Sequence, residues 1–254
     1  MRTTVPLLLI SLFAALAVPC AASATPPAEE VVTYASGSET ISGYLVKPAG
    51  TGPFPAVVVI HEWWGLNDQV KEEARKLAAA GYVALAVDLY RGRVATASEE
   101  AHELSRGLPE DRARRDLLAA FAYLAARKDV RPERIGSIGW CMGGGYSLQL
   151  ALAEPRLAAA VIYYGRLATD EAMLAKLRAP VLGLFGEEDR GIPAASVREF
   201  EAALGRLNKT ASIHIYPGAG HAFANATRPS YRKEAAEDAW AKTVAFFAEN
   251  LKRK

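Results

Sequence analysis

The feature that most constrains this chain is an alternation. Short, continuous runs of β-branched and apolar residues at 56–61, 82–87, 135–140, 158–164, 181–185 and 212–216 read as strands. Between them, residues 69–80, 99–106, 112–127, 141–153, 170–177 and 194–207 carry apolar side chains at helical spacing, with Gly81 as a stop signal after the first and 231–251 as a long closing helix. Apolar runs without polar alternation are strands buried on both faces, and strands joined through helices are parallel with right-handed crossovers. The expected architecture is therefore α/β, a mostly parallel central sheet with helices on both faces. Only the opening differs: residues 31–34 and 41–46, joined by a turn at Gly37-Ser38, read as an antiparallel pair.

The first two dozen residues stand outside this pattern. Arg2 is followed by an almost uninterrupted apolar stretch, 5–18, and Ala22-Ser23-Ala24 ends it with the small-x-small pattern of a signal-peptidase site. Residues 1–24 are read as a cleaved secretory signal and residues 25–254 as one α/β domain, which makes the mature protein periplasmic or secreted, with no stable membrane insertion. An uncleaved anchor is the alternative, but the apolar run is shorter than the roughly 20 residues of a spanning helix. Pro19 before Cys20 argues against a lipoprotein site. If Cys20 leaves with the signal, Cys141 is the one cysteine of the mature chain, and an internal disulfide is excluded. The net charge of +2 from 30 basic and 28 acidic residues, with no long block of either sign, gives no nucleic-acid footprint. Nothing in the sequence suggests a cofactor: there is no phosphate-binding glycine loop and no set of paired histidines or clustered cysteines for a metal. A monomer acting on a small molecule is expected.

Ligands of open α/β sheets bind at the carboxyl ends of the strands, where polar residues stand out against the apolar runs. Those ends hold His61-Glu62, Asp88, Cys141, Tyr163-Tyr164, Asp189 and His221. Gly139-Trp140-Cys141-Met142-Gly143-Gly144 lies between a strand and a helix and has the nucleophile-elbow pattern G-x-S-x-G with cysteine in the serine position. With 20 Gly and 2 Cys in 254 residues, chance supplies roughly 0.01 such matches, so the motif points to Cys141 as a nucleophile. The helix that follows would direct free N–H groups at it, favouring a thiolate and a developing oxyanion. Acid and histidine should follow in that order. Asp189, just past the strand 181–185, is the candidate acid, with Glu187 and Glu188 as neighbouring alternatives. Of the two downstream histidines, His214 alternates within a strand and reads as structural, whereas His221 sits in a glycine-containing loop able to reach Cys141.

These motifs resemble the dienelactone hydrolase family of α/β-hydrolases. The resemblance covers nearly all of the mature chain. It rests on the Cys141 elbow, the Asp189 turn and Gly220-His221-Ala222-Phe223, together with His61-Glu62-Trp63-Trp64-Gly65, Asp88-Leu89-Tyr90 and Tyr163-Tyr164-Gly165. It implies the α/β-hydrolase fold, a Cys141-His221-Asp189 triad hydrolysing a small ester or lactone, and a role for Glu62 in holding Cys141 as a resting thiol until substrate binds. The backbone N–H groups of Met142 and Trp63 would form the oxyanion hole. The His61-Glu62 segment is not a zinc site, since Gly65 stands where a second histidine would be required. Ala222 replaces a serine that contacts substrate in the family prototype, and Arg91 and Arg93 are off the usual spacing, so the expected pocket is aromatic, lined by Trp64, Tyr90, Tyr164 and Phe223 with Arg91 and Arg93 nearby. A general carboxylesterase or thioesterase on the same triad, and a non-catalytic exported binding protein, are the competing readings.

Overall fold

Val57 and Val58 are neighbours in sequence and both inaccessible to solvent, yet they belong to different cores. In the computed structural model, which describes residue 1 and residues 28–252, the strand β3 (Phe54–Ile60) sends Ala56, Val58 and Ile60 to one face and Val57 and Val59 to the other. The strand β4 (Val83–Val87) divides in the same way. This is the period-two geometry of a strand covered on both sides, and it explains why these segments lack polar alternation. The first face is covered by the helices α2 (Ser98–Arg106), α3 (Glu110–Ala125), α4 (Met142–Ala153) and α6 (Ala194–Arg206), the second by α1 (Asp68–Ala79) and α7 (Lys233–Phe247).

The remaining strands are β1 (Ala28–Ser36), β2 (Glu39–Lys47), β5 (Val130–Trp140), β6 (Ala159–Tyr163), β7 (Val181–Gly186) and β8 (Ala211–Tyr216), and they form one eight-stranded sheet in the order β1-β2-β4-β3-β5-β6-β7-β8. β1 and β2 pair antiparallel, as do β2 and β4, and every pairing from β4 through β8 is parallel. The chain winds outward in opposite directions from β3 and β5. Their adjacent carboxyl ends therefore form the crevice in which such sheets bind ligands.

Several boundaries differ from those expected. The helix at 170–177 is only α5 (Glu171–Leu174), because the N–H groups of Lys176 and Leu177 turn back three residues to Met173 and Leu174. The closing helix starts at Lys233, since Tyr231 and Arg232 are held in a turn by the carbonyls of Arg228 and Phe223. It ends in a π-helical turn, Ala248–Lys252, whose last lysine donates to the Ala80 carbonyl at 2.6 Å. β5 begins five residues early: a register shift between Phe54 and Ala56 of β3 admits the polar stretch after Val130. Residues 2–24 of the expected signal sequence lie outside the described residues. Among the described residues no helix is long and apolar enough to cross a membrane.

Candidate active site

Cys141 occupies the turn between β5 and α4 with φ 55° and ψ −117°, a conformation that costs a non-glycine residue about 1–3 kcal/mol. The surrounding packing enforces it. A Cβ at Gly139 would lie 2.0 Å from the Gly143 carbonyl oxygen, and one at Gly143 would lie 2.3 Å from the Ile60 carbonyl oxygen. Both glycines are thus required by contact with backbone, and the elbow is clamped against the end of β3. The Cys141 N–H donates to the Tyr163 carbonyl at 3.0 Å, which ties the turn to β6 as well. Met142 is the first residue of α4, where a helix has N–H groups without intrahelical acceptors. The free thiol of Cys141 is half-buried.

The loops after β7 and β8 bring the next two residues together. His221 Nδ1 lies 2.7 Å from Asp189 Oδ2. The other carboxylate oxygen, Oδ1, accepts from the N–H groups of Gly191 at 2.8 Å and Ile192 at 3.0 Å, so the acid is fixed by backbone before it meets the imidazole. Burial opposes a charge on His221, but the hydrogen bond to Asp189 and the interaction with Cys141 outweigh it, and the pKa is pushed up to about 10. Burial likewise opposes the charge on Asp189, and the bond from His221 with those from Ile192 and Gly191 holds its carboxyl below the usual range. His214, by contrast, stands in β8 with Nε2 3.0 Å from Ser212 Oγ.

Glu62, just beyond β3, is 3% exposed. Its Oε2 accepts from Asn225 Nδ2 at 2.8 Å and its Oε1 from the Tyr164 hydroxyl at 3.4 Å. Burial raises its pKa above the usual carboxylate range, against the opposing pull of Asn225, His221, Arg228 and Tyr164. Tyr164 is the link between the parts of the site. Its ring packs edge-on against His221 at 5.2 Å, and its ionisation is suppressed first by burial and then by the charges of Glu62 and Cys141. It has φ 36°.

The expected pocket residues divide in a different way from that foreseen. Tyr164 and Phe223 are fully buried, with rings 5.4 Å apart. Arg91 is engaged within the protein: its guanidinium pairs with the buried Asp116 at 2.8 Å and with Glu39 at 2.8 Å. The sequence could not show this because Asp116 is a lone acid on the inner face of α3, 25 residues away. Arg93 is exposed. Tyr90 is close to the elbow, its hydroxyl 3.3 Å from Met142 Sδ. Trp63 stacks edge-on against Trp64 at 5.0 Å and against His102 of α2 at 4.6 Å. Asp88, one of the strand-end candidates, staples its own turn by accepting from the N–H groups of Tyr90 at 3.1 Å and Gly92 at 2.5 Å.

Two residues at the site, Asn225 and Arg228, were not foreseen, and the strand-end His61 has a structural part. His61 is fully buried, its Nδ1 2.5 Å from the Glu62 carbonyl while its Nε2 accepts from the Leu89 N–H at 3.3 Å, so a neutral ring ties the Trp63 loop to the end of β4. Asn225 holds Glu62, and Arg228 lies over the Trp64 ring at 3.6 Å. Asn225 and Arg228 follow His221 within one loop, and only that proximity in sequence could have pointed to them. Among the described residues no group of three or more His, Cys, Asp or Glu side chains could hold a metal ion.

A strained cysteine at a strand-to-helix turn, with an Asp-fixed histidine from a later loop, on this sheet order, defines an α/β-hydrolase fold. The chain belongs to the dienelactone hydrolase family, whose model matches residues 41–251. It is 37% identical over 221 residues to a Methylorubrum extorquens protein, "Putative carboxymethylenebutenolidase", covering 82% of this chain and 76% of that one. A crystal structure from Klebsiella pneumoniae, "Putative Dienelactone Hydrolase", superposes with a TM-score of 0.82 at 32% identity, covering 89% of this chain and 100% of the other. A dienelactone hydrolase-like promiscuous phosphotriesterase from metagenomic libraries superposes with a TM-score of 0.81 at 26% identity, covering 89% and 99%.

Proposed function

We propose that this chain hydrolyses a small ester or lactone through a thioester on Cys141. The observation that carries the reading is the 2.7 Å contact between His221 and an Asp189 whose second oxygen is already held by backbone, beside a cysteine strained into the elbow. Cys141 Sγ, its proton passed to His221, attacks the carbonyl carbon. The negative oxygen of the tetrahedral intermediate is met by the N–H groups of Met142 and Trp63 and by the positive end of α4. The C–O bond breaks as His221 returns the proton to the leaving alkoxide, which leaves an acyl thioester. Water, deprotonated by His221, then attacks the thioester, and Cys141 departs with the proton. Asp189 keeps the imidazole in the tautomer that faces Cys141 and stabilises the imidazolium.

Glu62 sets the resting state. A buried carboxylate beside this group of ionisable residues disfavours a second negative charge on Cys141, so the cysteine rests as a thiol and its proton passes to His221 only when substrate binds. A resting thiol resists oxidation, which suits an exported enzyme. Export through removal of residues 1–24 is part of the same proposal, and N-terminal sequencing of protein recovered outside the cytoplasm should begin at Thr25. With Arg91 occupied by Asp116 and Glu39, the site favours esters whose binding does not depend on that arginine. A panel of activated esters and lactones, run with the wild type and Cys141→Ala, tests the reading: turnover should vanish in the variant, and full activity there would overturn it.

A further inference from the structure

Behind the sheet, on the face opposite α3 and α4, a cavity of about 550 Å³ opens between α1, α7 and the loop that follows His221. One turn after another of α1 presents Gln69, Glu72, Glu73 and Lys76 to it, the i, i+3, i+4, i+7 spacing of one helix face. The walls opposite are aromatic: Trp140, Tyr163, Tyr231 and Trp240. Glu73 is 8% exposed and takes no part in the chemistry above. Its Oε1 accepts from Gln69 at 3.3 Å and from Lys76 at 3.0 Å. Burial holds its pKa above the usual carboxylate range, against the pull of Lys76.

The protein itself shows what this cavity accepts. At its mouth the Lys76 ammonium sits between the Glu73 carboxylate, at 3.0 Å, and the face of Trp240, at 5.8 Å from the ring centroid. A carboxylate together with an indole face is the combination that recognises an organic ammonium. The remaining rings, Trp140, Tyr163 and Tyr231, line the rest of the cavity beside the same carboxylate. Glu72 and Glu237 add negative charge at the rim, where they also pair with Arg75 and Lys233.

The same cavity touches the catalytic machinery. Trp140 precedes Cys141. Thr227 lines the cavity and donates through Oγ1, at 2.7 Å, and N–H, at 3.0 Å, to Asn225 Oδ1, which orients the amide that holds Glu62.

We propose that this cavity is a second ligand site for a small organic ammonium with an aromatic or alkyl body, and that its occupancy is felt at Glu62 through Thr227 and Asn225. Binding stands apart from the reaction proposed above, and only the coupling is read through that reaction. Benzyltrimethylammonium serves as the cationic probe and phenylacetate as the anionic control, with tryptophan fluorescence as the signal. The cation should give a saturable change that survives alkylation of Cys141 with iodoacetamide and is weakened by about tenfold or more in Glu73→Gln and in Trp240→Ala. Phenylacetate should give none. Absence of a saturable change overturns the site, as does equal binding of phenylacetate, loss of binding on alkylation, or unchanged affinity in Trp240→Ala folded as judged by circular dichroism. Saturating cation should also alter ester turnover of the wild type but not of Thr227→Val. Turnover insensitive to the cation in the wild type would overturn the coupling while leaving the binding result intact.

Discussion

Replacing Asp189 with asparagine changes one atom of a buried side chain, and the structure dictates which way the amide must face. The N–H groups of Gly191 and Ile192 both point at Oδ1, at 2.8 and 3.0 Å, and both need an acceptor. The asparagine carbonyl has to take that place, because an NH₂ group there would leave two backbone donors facing a third. The NH₂ then faces His221 Nδ1, at 2.7 Å in the wild type. It can donate only to an unprotonated nitrogen. The imidazole is forced to carry its proton on Nε2, toward Cys141, where it can no longer accept the thiol proton. The charge that helped lift the His221 pKa to about 10 is also lost. Both effects act on the attack step, so kcat/KM for p-nitrophenyl acetate should fall by about 10³–10⁴, equivalent to about 4–5 kcal/mol of transition-state stabilisation. KM should change little. In parallel, the pH profile of iodoacetamide alkylation should move upward, because a neutral His221 no longer supports the thiolate. A variant that is folded and within about tenfold of wild-type kcat/KM would show that Asp189 does not set the tautomer.

Other perturbations separate catalysis from structure. Glu62→Gln removes a buried charge while keeping Asn225 and Tyr164 in partners, so the melting temperature should rise, more at pH 8 than at pH 5 because the folded carboxyl resists ionisation; Cys141 should alkylate faster without substrate and turnover should drop. Arg91→Met leaves Asp116 buried without its cation and should cost about 3 kcal/mol in denaturant unfolding with KM for neutral esters unchanged; a raised KM at unaltered stability would restore Arg91 to the substrate site. Gly143→Ala pushes a methyl group to 2.3 Å from the Ile60 carbonyl oxygen, a backbone atom that cannot move aside, and should lower the melting temperature by roughly 5–10 °C or prevent folding. His221, with a folded pKa of about 10 against an ordinary 6.5, should contribute stability fully below about pH 6.5 and lose it as pH rises through about 10, so the melting-temperature gap between wild type and His221→Gln should narrow with rising pH.

What could be read from the sequence followed how local its cause is. The elbow was legible because its pattern is carried by a few adjacent residues: Gly139 meets the Gly143 backbone within the same turn, although the carbonyl that excludes a side chain at Gly143 belongs to Ile60 of β3. The pairing of Asp189 with His221 was legible because each follows a strand that brings it to the same edge, and their order in the chain is a topological consequence. The partners of Arg91 were hidden for the opposite reason, since they come from β2 and α3, where nothing periodic marks Glu39 or Asp116. The burial of Tyr164 and Phe223 was not legible either, because it comes from packing of Tyr164 against both Phe223 and His221. Asn225 had no signature at all: its significance lies in one hydrogen bond to a residue 163 positions earlier.

The most direct test of a covalent mechanism at Cys141 is to look for the acyl group. Wild-type protein mixed with excess p-nitrophenyl acetate and quenched in acid within the first turnovers should give, by peptide mass spectrometry, one acetyl group on the peptide carrying Cys141, removable by neutral hydroxylamine as a thioester is. The label should decay at the steady-state rate of turnover. Turnover without any label on Cys141, or undiminished turnover after Cys141 has been alkylated, would contradict a thioester intermediate at this residue.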